Sequence, residues 1–368
     1  MPTINTSFLK ALFFKALGQG IALALGATLS VGAFAQDGAL AREYPELARL
    51  NNAFDVTQAA LYDAMAEINA SPETMQARME TKMELDMMKN MDSMAHMGHG
   101  GGEMDMSMDG PYGELEIQSR VRLTGLLRRD HSDETAENAY SEAKSLPTHA
   151  WRVLAWGRKF ERDLLNIYAD SSTSFSEKRA AVADAIEAYQ TGDARHAVST
   201  VAKSVELYLD HDYATGAKSA FPRLSSLMWT NQWLQLAALE AMVVGQLDPQ
   251  FAGKVPVTIE RYWSKVGSDT GMTMFPVPVD MPSVPAIAPS LYSEAPQAAV
   301  IIDNLNMLDA AVADIIAYPN LENRDELLEA AADEFTKDDS NVSDEMTYLL
   351  SALRGGIFNQ GGPAIGDL

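Results

Sequence analysis

Residues 222–244 carry apolar side chains on nearly every face of any helix they could form. Leu224, Leu227, Met228, Trp229, Trp233, Leu234, Leu236, Leu239 and Met242 leave no continuous polar stripe. A helix without a wet side must be surrounded by other helices. This one stretch therefore predicts an all-α, multi-helix bundle with residues 222–244 as its central member. Trp229 and Trp233 stand four apart on that helix and are expected to anchor its core.

The flanking patterns supply the other members. Residues 42–70 place Phe54, Leu61, Tyr62, Met65 and Ile68 at helical spacing. Ser71, Pro72 and Glu73 then read as the capped start of a second helix. Residues 115–129 fit a helix or a short strand. A helix is expected over 146–169, burying Trp151, Leu154, Phe160, Leu164, Leu165 and Tyr168. Ser174 or Ser176 caps the next, to Tyr189, and a third follows to about Leu209. Residues 251–296 hold Pro276, Pro278, Pro282, Pro285, Pro289 and Pro296, which predicts an extended, polyproline-like segment. Residues 297–317 and 321–335 read as a helical hairpin about Tyr318-Pro319-Asn320, and 343–353 as a last helix.

Residues 75–108 differ in kind, with 11 of the chain's 20 methionines within 34 residues. Met75, Met79, Met83, Met87 and Met91 recur every fourth residue, so neighbours share a helix face. Beyond Met94 the pattern changes to His96, Met97, His99, Met104, Met106 and Met108 among glycines and aspartates. Packing is the ordinary role of a methionine stripe. A Gly- and Asp-rich loop has no core of its own in which to bury such side chains. Thioethers are soft donors suited to Cu(I), and imidazole suits copper in both oxidation states. The candidate ligands are Met87, Met88, Met91, Met94, His96, Met97, His99, Met104, Met106 and Met108. Asp86, Asp92, Glu103, Asp105 and Asp109 would attract the ion. Over about residues 79–108 the composition resembles the Met/His-rich regions of bacterial periplasmic copper-handling proteins. That resemblance implies copper as the bound ion. The expected partner is the metal ion, and another periplasmic copper protein is a candidate beside it.

The ends and composition narrow the setting. Lys10 and Lys15, an apolar run from Ile21 to Val31, and Ala33-Phe34-Ala35 before Gln36 have the form of a secretory signal. Its removal would take the formal charge from −23 to −25. Such acidity disfavours nucleic acid and anionic lipid as partners and favours cations. Past the signal no run is long and apolar enough to span a bilayer, so the expected location is the periplasm. Absence of cysteine excludes disulfides, Fe–S clusters and thiolate ligands, so a soft-metal site must be built from Met and His. No organic cofactor motif, nucleophile elbow or H-E-x-x-H step is present, and the chain reads as a non-enzyme.

The expected organisation is a signal over 1–35, N-terminal helices over 36–71, the Met/His-rich helix and flexible loop over 72–110, a helical bundle over 111–250, the Pro-rich segment over 251–296, C-terminal helices over 297–354 and a flexible tail over 355–368. The expected role is binding copper, as Cu(I) or Cu(II), for buffering or delivery in copper homeostasis or resistance. The alternative is a helical scaffold whose Met-rich helix is an adaptable apolar docking surface. Asp210-His211-Asp212 and the turn around His131 could together form a second imidazole–carboxylate site. His149 reads as structural, and Asp193 with His196 as a D-x-x-H step lacking the partners of a di-iron bundle.

Overall fold

The computed structural model describes residues 38–95, 110–209, 211–267 and 281–355. These residues form 16 α-helices and, apart from one isolated bridge between Lys203 and Val342, no β-structure. The protein is all-α.

In chain order the helices are α1 (Ala39–Glu43), α2 (Pro45–Ala70), α3 (Met75–Ala95), α4 (Gly113–Leu127), α5 (Asp133–Glu142), α6 (Thr148–Ala169), α7 (Phe175–Gly192) and α8 (Glu206–Leu209). There follow α9 (Gly216–Ala220), α10 (Pro222–Leu247), α11 (Lys254–Gly267), α12 (Val284–Ile287), α13 (Pro289–Glu294), α14 (Pro296–Ala317), α15 (Arg324–Phe335) and α16 (Glu345–Gly355). One continuous hydrophobic cluster joins α2, α6, α10 and α14. As its composition requires, α10 is buried on all sides from Leu227 to Val243. A second helix is just as enclosed: α14 is buried throughout from Ile301 to Ala317. α6 crosses α14 closely at Gly157, where a Cβ would lie 2.6 Å from Leu305 Cδ1.

Several helices begin at boundaries marked locally. Ser174 and Glu177 form a reciprocal capping box at α7, and Ser132 accepts the Thr135 N–H at α5. Others begin without any side-chain cap of their own, among them α9 after Thr215, α10 after Phe221, α12 after Ser283 and α13 after Ala288. A helix start leaves N–H groups without intrahelical acceptors, and burying them unpaired is costly. Here carboxylates from other helices accept them. Glu116 of α4 accepts Arg223 N–H and Leu224 N–H at 2.7 and 3.0 Å. Glu240 of α10 takes Ser290 and Leu291 at 3.0 and 3.1 Å, Asp303 of α14 takes Val284 at 2.8 Å, and Asp314 takes Ala217 at 2.8 Å. Each carboxylate doubles as a tertiary tie.

Two expectations fail for physical reasons. Residues 251–296 are not one extended segment, since α11, α12, α13 and the start of α14 lie within it. Proline at the first turn of a helix lacks only an N–H that would have no intrahelical acceptor, and α12, α13 and α14 each place one there. The central residues of that segment, 268–280, lie outside the described residues, as do the tail beyond 355 and the signal. Likewise no helix runs from 193 to 209. Residues 194–205 form a strap, buried over His196–Ser199 and at Ala202 and Lys203, and Asn304 of α14 captures its backbone, donating to Ser199 and Val201 carbonyls and accepting Lys203 N–H. The choice left open over 115–129 resolves to helix, in α4.

Burial raises the carboxyl groups of Asp303 and Asp314 to about 7, against the hydrogen bonds each accepts. A carboxyl raised on folding binds protons more readily in the native state, so stability falls as pH climbs from about 4 towards 7. We expect thermal unfolding to occur at a higher temperature at pH 5.5 than at pH 8. A melting temperature that rises steadily to pH 8 would show that these two groups are ionised at no cost.

Candidate functional site

The Met-rich segment is mounted on α3. Ser71 accepts the Glu73 N–H, and a turn of 3₁₀ helix over Pro72–Thr74 leads into it. The turn is fixed to the end of α2, where Thr74 Oγ1 donates to Ile68 carbonyl at 2.7 Å and Arg78 donates to the Asn69 and Ser71 carbonyls. At the far end Tyr112 donates to the Asn69 side chain, so the residues flanking the Met/His segment are tied together.

α3 has two distinct faces. Thr74, Thr81 and Leu85 are buried, at spacing that puts them on one side. On the other, Met75 is 61% exposed, Met79 63%, Met83 58% and Met87 52%. The exposed row runs beside a shallow, solvent-open depression lined by Met79, Lys82, Met83, Asp86, Met87 and Asn320. Successive members of such a row have Cβ atoms about 5–6 Å apart, so two long thioether chains can converge on one ion.

A polar clasp holds α3 to the hairpin turn after α14. Lys82 donates to Asp86 at 2.8 Å, Tyr318 donates to Asp86 at 2.9 Å, and Lys89 donates to Tyr318 Oη at 3.1 Å. Lys89 also sits 4.6 Å from the Tyr318 ring centre. The Lys82 hydrogen bond, seconded by Tyr318, holds the Asp86 carboxyl below the usual carboxylate range. An anionic Asp86 therefore stands beside Met83 and Met87 at neutral pH.

Of the ten candidate ligands, Met87 alone has a described side chain, in the exposed row. Met88, Met91 and Met94 belong to α3 but their side chains lie outside the described set, and Met91 continues the fourfold register. His96, Met97, His99, Met104, Met106 and Met108 lie outside the described residues. Among the described residues no group of three or more His, Cys, Asp or Glu gathers as metal ligands. The second site suggested around His131 and His211 does not assemble there. His131 Nε2 donates to Leu126 carbonyl at 3.0 Å, whereas His211 stacks on Tyr213, and Asp210 is outside the described residues.

Two features gave no sequence signal. Arg158 of α6 lies buried in an ionic network, donating to Glu161 at 2.5 Å, to Asp309 of α14 and to Gln235 at 3.3 Å. Tyr62 and Gln232 also donate to Asp309, at 2.7 and 3.2 Å, so the network ties α2, α6, α10 and α14 together. The second is an imidazole pair. His149 at the start of α6 and His196 in the strap meet with ring centres 5.2 Å apart. The two are 47 positions apart in sequence, and neither has a neighbour that marks the other.

No protein family, curated protein or solved structure matches this chain. Among the described residues no helix is long and apolar enough to cross a membrane.

Proposed function

We propose that the chain is an exported, periplasmic copper-binding protein that buffers or delivers Cu(I) and Cu(II) through its Met/His-rich segment, with α3 as the mount. Four thioethers standing in water on one helix face support this role. Burying a methionine side chain is worth about 1.5–3 kcal/mol, so a core-filling stripe would face inward. Met75, Met79, Met83 and Met87 do the opposite. Asp86 beside them offers charge compensation, and with no cysteine in the chain the softest donors available are these sulfurs.

Metal selectivity tests it. Cu(I) and Ag(I) should bind to the segment more tightly than Zn(II) or Ni(II), and Cu(I) binding should persist below pH 6. Imidazole ligands must shed a proton with an ordinary pKa of about 6.5, but thioethers have none to lose. A segment that prefers Zn(II) and releases its ions on mild acidification would assign binding to His96, His99 and the carboxylates instead. Export is tested separately. The mature protein recovered from its own cells should begin at Gln36, and an intact mass that still includes residues 1–35 would overturn that part.

The same exposed row favours a second role, an apolar face on which a partner docks. Substituting the sulfur without changing the shape separates the two.

A further inference from the structure

We infer that His149 and His196 form a second metal site, unrelated to the Met/His segment, for a borderline divalent ion of the Zn(II), Co(II) or Cu(II) class. His149 is 9% exposed, and both of its ring nitrogens are buried with no hydrogen-bond partner. Almost every buried polar atom in a folded protein has a partner, so an imidazole with two orphans calls for a ligand. Its ring faces that of His196 across 5.2 Å at an interplanar angle of 52°. Two imidazoles bound to one tetrahedral ion at about 2.0–2.1 Å put their ring centres about 5 Å apart. The pair already has that spacing.

His196 is oriented as a metal-binding imidazole should be. Asp193 Oδ1 lies 2.8 Å from Nδ1, so Nδ1 carries the proton, donates to the carboxylate and leaves Nε2 with its lone pair. A carboxylate on the remote ring nitrogen fixes the tautomer and raises the basicity of the ligating one. Around the pair, Glu329 and Asp333 of α15 supply negative charge and Arg195 opposes it. Glu329 also accepts the His149 backbone N–H at 3.1 Å, holding α15 against the start of α6. The two imidazoles supply two side-chain ligands.

The test uses the full-length chain with His96→Gln and His99→Gln, so that the Met/His segment contributes no imidazole. Zn(II) added alone should displace the imidazole ¹⁵N resonances of two of the four remaining histidines. His131→Gln and His211→Gln identify their own signals by loss, leaving His149 and His196 assigned without altering either. Calorimetry should then show one Zn(II) bound, abolished by His149→Gln or His196→Gln and weakened about 10–100-fold by Asp193→Asn. Shifts confined to His131 or His211, or no shift at all, would overturn the site even if the His149 and His196 variants fail to fold. Because the Met/His segment has lost its imidazoles in this chain, failure here leaves the Cu(I) proposal standing, and failure of that proposal leaves this site intact.

Discussion

Arg158→Met should destabilise the protein by about 3–5 kcal/mol, seen as a large drop in the urea midpoint. The loss of a positive charge is not itself the cause. Arg158, Glu161 and Asp309 are all buried, and removing the guanidinium leaves two carboxylates in a medium that solvates neither. Asp309 would keep Tyr62 and Gln232 as donors, but both are neutral. Replacing all three residues at once, as Arg158→Met, Glu161→Leu and Asp309→Leu, removes the uncompensated charges and should recover most of the loss. If Arg158→Met cost less than about 1 kcal/mol, the carboxylates would have to be protonated in the native state.

Changing Met75, Met79, Met83, Met87, Met88, Met91, Met94, Met97, Met104, Met106 and Met108 together to leucine should abolish most Cu(I) binding while leaving the fold intact. Leucine matches methionine closely in volume and helix propensity, so even a buried swap typically costs less than about 1.5 kcal/mol. At the four described positions the side chains are exposed and the cost should be smaller. A docking face would keep its apolar contact. The sulfur lone pairs are gone, and a chain without cysteine has nothing equally soft to replace them. Titration of Cu(I) against a competing chelator, with circular dichroism as the control, decides between the two roles. Unchanged stoichiometry and affinity would leave docking as the role of the row.

Signals carried within a few residues were legible in the sequence. The 222–244 stretch, apolar on nearly every face, announced the central helix, and Ser71 and Ser174 marked real helix starts. What was not legible depends on residues far apart. The 297–317 pattern identified α14 as a helix, but not that its Asp303, Asn304, Asp309 and Asp314 each tie down a different element. Residues 194–205 have an ordinary helical composition, and what holds them as a strap lies far along the chain: Asn304 about 100 positions later, with Phe335, Asn341 and Ser343 beyond it. The prolines of 276–296 read as an extended run because the same residue that stops one helix can start the next. His149 and His196 looked ordinary for the same reason: what sets them apart is each other.

The carboxylates that start other segments' helices also constrain the time course of folding. Arg223 N–H is satisfied by a residue 107 positions earlier, Ala217 N–H by one 97 positions later, and Ser290 N–H by one 50 positions earlier. A growing chain cannot fasten the start of α9 to Asp314 while residue 314 is still unmade, and until then water must meet those N–H groups. Closing loops of this length is slow compared with forming an isolated helix. The nascent protein should thus acquire its ties in sequence, the Glu116 tie first and the Asp314 tie last, long after the segment it fastens has been made.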